Sequence, residues 1–210
     1  KASYKNGYTE VTKVEKYSDC SKNINANVGS SSTYTVTPLE LVDKNYILDP
    51  SVNHSYTYRI EQRVLEFEWT VSDNSALSNL VYNGKTRQLI PTAINVVSGD
   101  KVVLTYANNS FKNAGVYTVT VTAIDNSNYT LSSGYSSKTI TVSPKTITFN
   151  WSGSEVATYD GKPHARIAAA QGVEDGDTVN VEYLNGSNEA TNAGSYTFYI
   201  SGVTNENYTF

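Results

Sequence analysis

Few side chains in this sequence are able to do chemistry, and they are scattered. The chain has two histidines, His54 and His164, and a single cysteine, Cys20. General acid–base or nucleophilic catalysis needs such groups to converge with a partner that moves or holds the proton. His54 lies in the polar stretch "SVNHSYT", and His164 follows Pro163 beside "YDGK". Neither stands next to a serine or cysteine motif, and both read as surface histidines. Around Cys20 the segment "YSDCSKN" offers only Asp19 and Lys22. A reactive thiolate needs an environment that lowers its pKa, so Cys20 reads as a small half-buried residue. One cysteine also excludes a disulfide-stapled scaffold. Glu174, Asp175 and Asp177 form an acidic knot that calcium could use with backbone oxygens to complete its shell. The matching part of an earlier stretch holds only Asp100, so the preferred reading is a solvated acidic turn. Metal-ligand spacings, phosphate loops and nucleophile elbows are missing from the sequence. A Lys–Asn cross-link would call for Lys145 beside an acid, but the equivalent position earlier in the chain is Arg63. The expectation is a non-enzymatic protein without catalytic residues, metal or cofactor.

Sugar binding has better raw material. Pyranose rings stack on exposed aromatics flanked by amides and carboxylates, and the chain has 17 tyrosines. Trp69 and Trp151 occupy one recurring position at the end of an apolar strand and read as core. Tyr129 and Tyr208 are likewise periodic. The aromatics outside the pattern are Tyr8, Tyr17, Tyr56 and Tyr135, and these are the candidate ligand-binding residues. Asn-x-Ser/Thr triplets start at Asn53, Asn108, Asn128, Asn150, Asn185 and Asn207, as chance supplies in a chain this rich in Asn, Ser and Thr.

Composition narrows the class further. The 210 residues are 39% hydrophobic and 17% charged, with a net charge of −4. Thr and Tyr favour strands, and Ser and Asn supply turns. The absence of a basic run argues against nucleic acid. No apolar stretch approaches the roughly 20 residues of a membrane span.

The elements that must position these residues are written more than once. "VYNGK" (Val81 to Lys85) matches "TYDGK" (Thr158 to Lys162), 77 residues later. "SGDKVVLTY" from Ser98 matches "DGDTVNVEY" from Asp175 at the same spacing. "NAGVYTVTV" from Asn113 matches "NAGSYTFYI" from Asn192, 79 residues on, and "VLEFEW" from Val64 matches "TITFNW" from Thr146. A worn first copy keeps Tyr34-Thr35-Val36-Thr37 and Asn45-Tyr46, and its "TYRIEQ" lies over "TITVSP". A period near 80 suits an array of small domains. The expected division is 1–62, a divergent and truncated first β repeat; 63–144, a complete second repeat; and 145–210, a third repeat lacking its closing strand. On this reading the 210 residues are a window on a longer chain, flanked by further repeats.

Within each copy the hydrophobic period is two. Tyr117, Val119 and Val121 alternate with Thr118, Thr120 and Thr122, as Tyr196, Phe198 and Ile200 do with Thr197, Tyr199 and Ser201. Half-buried strands follow. In the turn "NAG", Gly115 and Gly194 are free to take positive φ. The Tyr two residues later can bury its ring and return its hydroxyl to nearby backbone, like a tyrosine corner. Pro91 in "RQLIPTAI" points to an edge strand. The fold class expected is all-β: tandem small immunoglobulin-like β-sandwiches arranged as an elongated rod, with β-grasp-like small domains as the other arrangement.

The ordered set "YDGKPH", "DGDTVNVEY", "NAGSYTFYI" and "NYTF" resembles the MBG and YDG-type repeats of large bacterial surface proteins. The likeness is good from Val64 to Phe210 and poor from Lys1 to Gln62. It implies an extracellular, cell-surface or cell-wall stalk segment whose partners are flanking repeats of the same chain. The alternative it leaves is an adhesin module that holds a glycan or protein, most readily through the divergent first copy.

Overall fold

The computed structural model describes residues 14–17 and 33–210. Among them the regular structure is strand, with one 3-10 turn at Leu184–Gly186 and no α-helix. The all-β expectation therefore stands. The described residues divide into two compact units: those up to 66 with 93–104 and 123–133, and 67–92, 105–122 and 134–210.

In the first unit Val14–Tyr17 pairs antiparallel with Pro38–Leu41. Thr33–Val36 pairs antiparallel with Tyr56–Arg59, setting Thr35 opposite Thr57. Arg63–Val64 runs parallel to Tyr129–Thr130, and Leu65 and Tyr129 are buried beside that ladder. Aspartate side chains close the connecting turns. Asp43 Oδ1 accepts from the Asn45 N–H, and Asp49 Oδ1 from the Ser51 N–H, 2.9 Å each. This is the short-range bonding that makes Asp a turn former.

The second unit holds one core: Val71, Leu80, Tyr82, Leu89, Phe111, Val119, Ile140, Val142, Ile147 and Tyr208. Residues of the second and third copies share it. The strands order as Leu80–Val81, Ser137–Ser143, Gly115–Ile124, Leu104–Ala107 in one sheet and Ser110–Phe111, Arg87–Ala93, Phe67–Val71 in another. Alternation explains the first sheet. Val119 and Val121 are fully buried, while the hydroxyls of Thr118 and Thr120 reach Thr139 and Ser137 at 2.9 Å on the other face. Such cross-strand hydroxyl pairs each contribute a few tenths to 1 kcal/mol, roughly. Third-copy strands make two-stranded ladders: Lys145–Thr146 with Tyr208–Thr209, Thr148–Ser152 with Ile167–Gln171, His164–Ala165 with Glu189–Ala190, and Val181–Tyr183 with Ile200–Val203.

Three expectations need correction. Pro91 lies on a strand with neighbours on both sides, not on an edge strand. It is tolerated because Ser110–Phe111 pairs only with Gln88 and Arg87, leaving the Pro91 position without a ladder partner there. Trp151, expected in the core, is 40% exposed and rests against Tyr183 at 6.0 Å between ring centres. Trp69 does pack against the core. Lastly, the strand expected over Tyr196 to Gly202 begins only at Ile200. In its counterpart Gly115–Ile124 the first residues, Gly115–Thr120, are paired with Ser137–Ser143, and Ser195–Tyr199 has no such neighbour.

Candidate functional site

Two constellations bring polar chemistry together, both in the second unit. In the first, the Asp177 Oδ2 accepts hydrogen bonds from the Tyr82 and Tyr208 hydroxyls, each at 2.6 Å. The tyrosine rings meet edge-on, 5.5 Å apart and inclined at 81°. Tyr208 Oη also accepts from the Glu174 N–H at 2.9 Å, and Glu174 forms an ion pair with Lys145 at 2.5 Å. Burial first, and then the bond to Asp177, pushes the Tyr208 hydroxyl up to about 12 and moves Tyr82 further the same way. The Tyr208 and Tyr82 hydroxyls in turn hold the Asp177 carboxyl below the ordinary carboxylate range. Tyr82 and Tyr208 are thus held as neutral hydroxyls and Asp177 as a carboxylate.

The same set recurs in the first unit. Asp100 Oδ2 accepts from the Tyr129 hydroxyl at 2.6 Å, and Tyr129 Oη accepts from the Val97 N–H at 2.9 Å. Asn126 donates to the Lys101 carbonyl as Asn205 does to that of Thr178. Arg63 and Lys145 each donate a backbone N–H to the carbonyl of Asn128 and Asn207 respectively. Asp177 is therefore not a solvated acidic residue, and what it does is shared with Asp100. The sequence contained the signal: Gly-Asp and Asn-Tyr-Thr recur together in both copies. That the two motifs meet in space is what the alignment alone leaves open.

The second constellation is a groove of about 560 Å³ between Ser154–Tyr159 and Asn192–Phe198. Val156, Tyr159 and Tyr196 stand 83%, 63% and 51% exposed along it. Tyr196 donates its hydroxyl to the Asn192 carbonyl at 2.9 Å, as Tyr117 does to Asn113. The expected hydroxyl-to-backbone corner is present in both copies, but the Tyr196 ring is not buried. Gly115 has a φ of +149°, whereas Gly194 lies outside the positive-φ region. The expectation for Gly194 is thereby corrected. At that position a Cβ would instead meet the Tyr196 ring at 3.3 Å. At the groove margin, His164 Nε2 lies 3.0 Å from Asp160 Oδ1, so its ring is taken up by a carboxylate rather than by a nucleophile. The Lys162 N–H and then His164 hold the Asp160 carboxyl low.

Of the candidates chosen from sequence, the described Tyr56 and Tyr135 lie in neither place. Tyr8 and Cys20 fall outside the described residues. Tyr17 ends a strand opposite Pro38. Tyr56 opens a strand and is 72% exposed. Tyr135 is 53% exposed just before Ser137–Ser143. Neither Tyr56 nor Tyr135 lines the groove, whose aromatics are Tyr159, Tyr196 and Phe198. Among the described residues no three His, Cys, Asp or Glu side chains are grouped to hold a metal ion. Among the described residues no helix is long and apolar enough to cross a membrane. No family model, curated protein or solved structure matches this chain.

Proposed function

We propose that this chain is a structural stalk segment of a bacterial extracellular surface protein, built from tandem immunoglobulin-like β repeats in a rod. One observation carries the reading: the aspartate–tyrosine latch is made with the same atoms at Asp100–Tyr129 and at Asp177–Tyr208. The polar residues that recur are thus spent on joining the chain to itself. The likeness to MBG and YDG-type repeats supports the same view, because the Tyr-x-Gly-Lys, Gly-Asp and Asn-Tyr-Thr elements of that pattern include Tyr82, Asp177 and Tyr208. Short connections add to it. Only Pro144 separates the strand Ser137–Ser143 from Lys145–Thr146, too little for a flexible linker.

Small-angle scattering of the whole chain, run beside a glycan array, tests the proposal. An elongated particle that retains no glycan is the expected result. A compact globule, or saturable retention of a defined glycan lost on Tyr56→Ala, would overturn it in favour of a binding module.

A further inference from the structure

We infer that the groove beside Asn192–Phe198 is a strand-acceptor slot. It takes an extended peptide segment with the alternating Thr-Ile-Thr-Val pattern of Ser137–Ser143, laid antiparallel to Gly194–Tyr199. The inference goes beyond the stalk reading and does not depend on it.

The second copy is the template. There Ser137–Ser143 lies between Leu80–Val81 and Gly115–Ile124. It pairs antiparallel with the latter, Val142 opposite Gly115 and Ile140 opposite Tyr117, and parallel with the former, Val142 opposite Leu80. Its inward side chains, Ile140 and Val142, are 4% and 1% exposed and belong to the core. The first copy repeats the antiparallel pair, Tyr56–Arg59 against Thr33–Val36. In the third copy the residues matching Leu80–Val81 are Ala157–Thr158, and those matching Gly115–Thr120 are Gly194–Tyr199. These two segments supply the facing walls of the groove. The groove is therefore the space that a strand fills in the second copy.

The backbone is set for such a guest. On the side away from the groove, the Leu184 N–H donates to the Tyr199 carbonyl, and Ile200–Val203 pairs with Val181–Tyr183. Along an extended segment successive residues present their amide groups to opposite sides. With Tyr199 turned toward Leu184, the amides of Tyr196 and Phe198 face the groove. Ser195, Tyr196 and Thr197 are exposed, and Ser195–Tyr199 enters no ladder. An unpaired edge binds extended peptide through its main chain, with alternate side chains seated against its neighbours. In that register the guest's Ile140 and Val142 lie opposite Tyr196 and Gly194, and Phe198, half-buried where Val119 is fully buried, flanks them. A second copy of this chain is a poor donor, since its own Ser137–Ser143 is paired on both sides.

The test uses the intact chain and a labelled peptide of the sequence Ser136 to Lys145. The expected result is saturable one-to-one binding, with amide exchange at Tyr196 and Phe198 slowed about tenfold or more. A peptide carrying Ile140→Asp and Val142→Asp should bind at least about tenfold more weakly, because carboxylates would replace the apolar side chains set against Tyr196 and Phe198. Four results would overturn the inference: no saturable binding, equal binding of the aspartate peptide, protection that appears elsewhere, or a dimer in which Ser137–Ser143 loses protection. The last would assign the slot to strand exchange between copies.

Discussion

Asp177 is the residue whose loss should be felt most. It is the shared acceptor for two hydroxyls on rings that are 2% and 4% exposed. Removing the acceptor strands buried donors, each at a cost of roughly 1–3 kcal/mol. Asp177→Ala should therefore destabilise the second unit by about 2–4 kcal/mol in urea denaturation, and Asp100→Ala, which releases one hydroxyl, by about half that. The latch also sets a pH window. A carboxyl with a depressed folded pKa adds stability above its unfolded value, near pH 4, and that stability is lost as pH falls further. A tyrosine raised to about 12 works in the opposite sense: its contribution is complete below about pH 10 and lost between about 10 and 12. Thermal melts from pH 2 to 12 should show both losses in the parent chain. Asp177→Ala should flatten the acid limb. In the sequence, Asp177 looked like one member of an exposed acidic cluster. Its role was hidden because Tyr82 is 95 residues away and nothing local links the two.

Strands are where local reading works and where its failures are informative. Period-two alternation located Gly115–Ile124, since one face of it is buried and the hydrophobic pattern is then obligatory. The same alternation over Tyr196–Ser201 did not produce a strand until Ile200. Alternation is necessary for a half-buried strand, but a neighbour must also accept its backbone groups. The glycines of "NAG" separate in the same way. Gly115→Val places a β-branched side chain at a φ of +149°, and a cost of about 1–3 kcal/mol is expected in thermal denaturation. Gly194→Ala needs only a shift of the half-exposed Tyr196 ring, so its melting curve should stay within roughly 0.5–1 kcal/mol of the parent. A larger loss at Gly194 than at Gly115 would show that the positive φ is not what limits substitution.

For the molecule as a whole, spacing in the sequence marked Asn128-Tyr129 and Asn207-Tyr208 as recurring, but neither the bonds they make nor how cores are shared. Tyr82 and Val142 of the second copy lie in one cluster with Ile147 and Tyr208 of the third. Sequence similarity marks what is repeated, whereas burial follows whichever surfaces meet. Tyr82→Phe leaves the ring packing and removes one hydroxyl, so it should lower stability by only about 1–2 kcal/mol. Tyr82→Ala also opens a cavity, for which about 3–5 kcal/mol is expected. Calorimetry of both variants separates the latch from the packing. The parallel pairing of Lys145–Thr146 with Tyr208–Thr209 has a mechanical meaning. These segments lie side by side and point the same way. A force applied between Lys145 and Thr209 pulls one toward its start and the other toward its end, so the hydrogen bonds between them, including those from Lys145 to Asn207 and from Ile147 to Thr209, are loaded together in shear. A ladder loaded this way must break all at once rather than bond by bond.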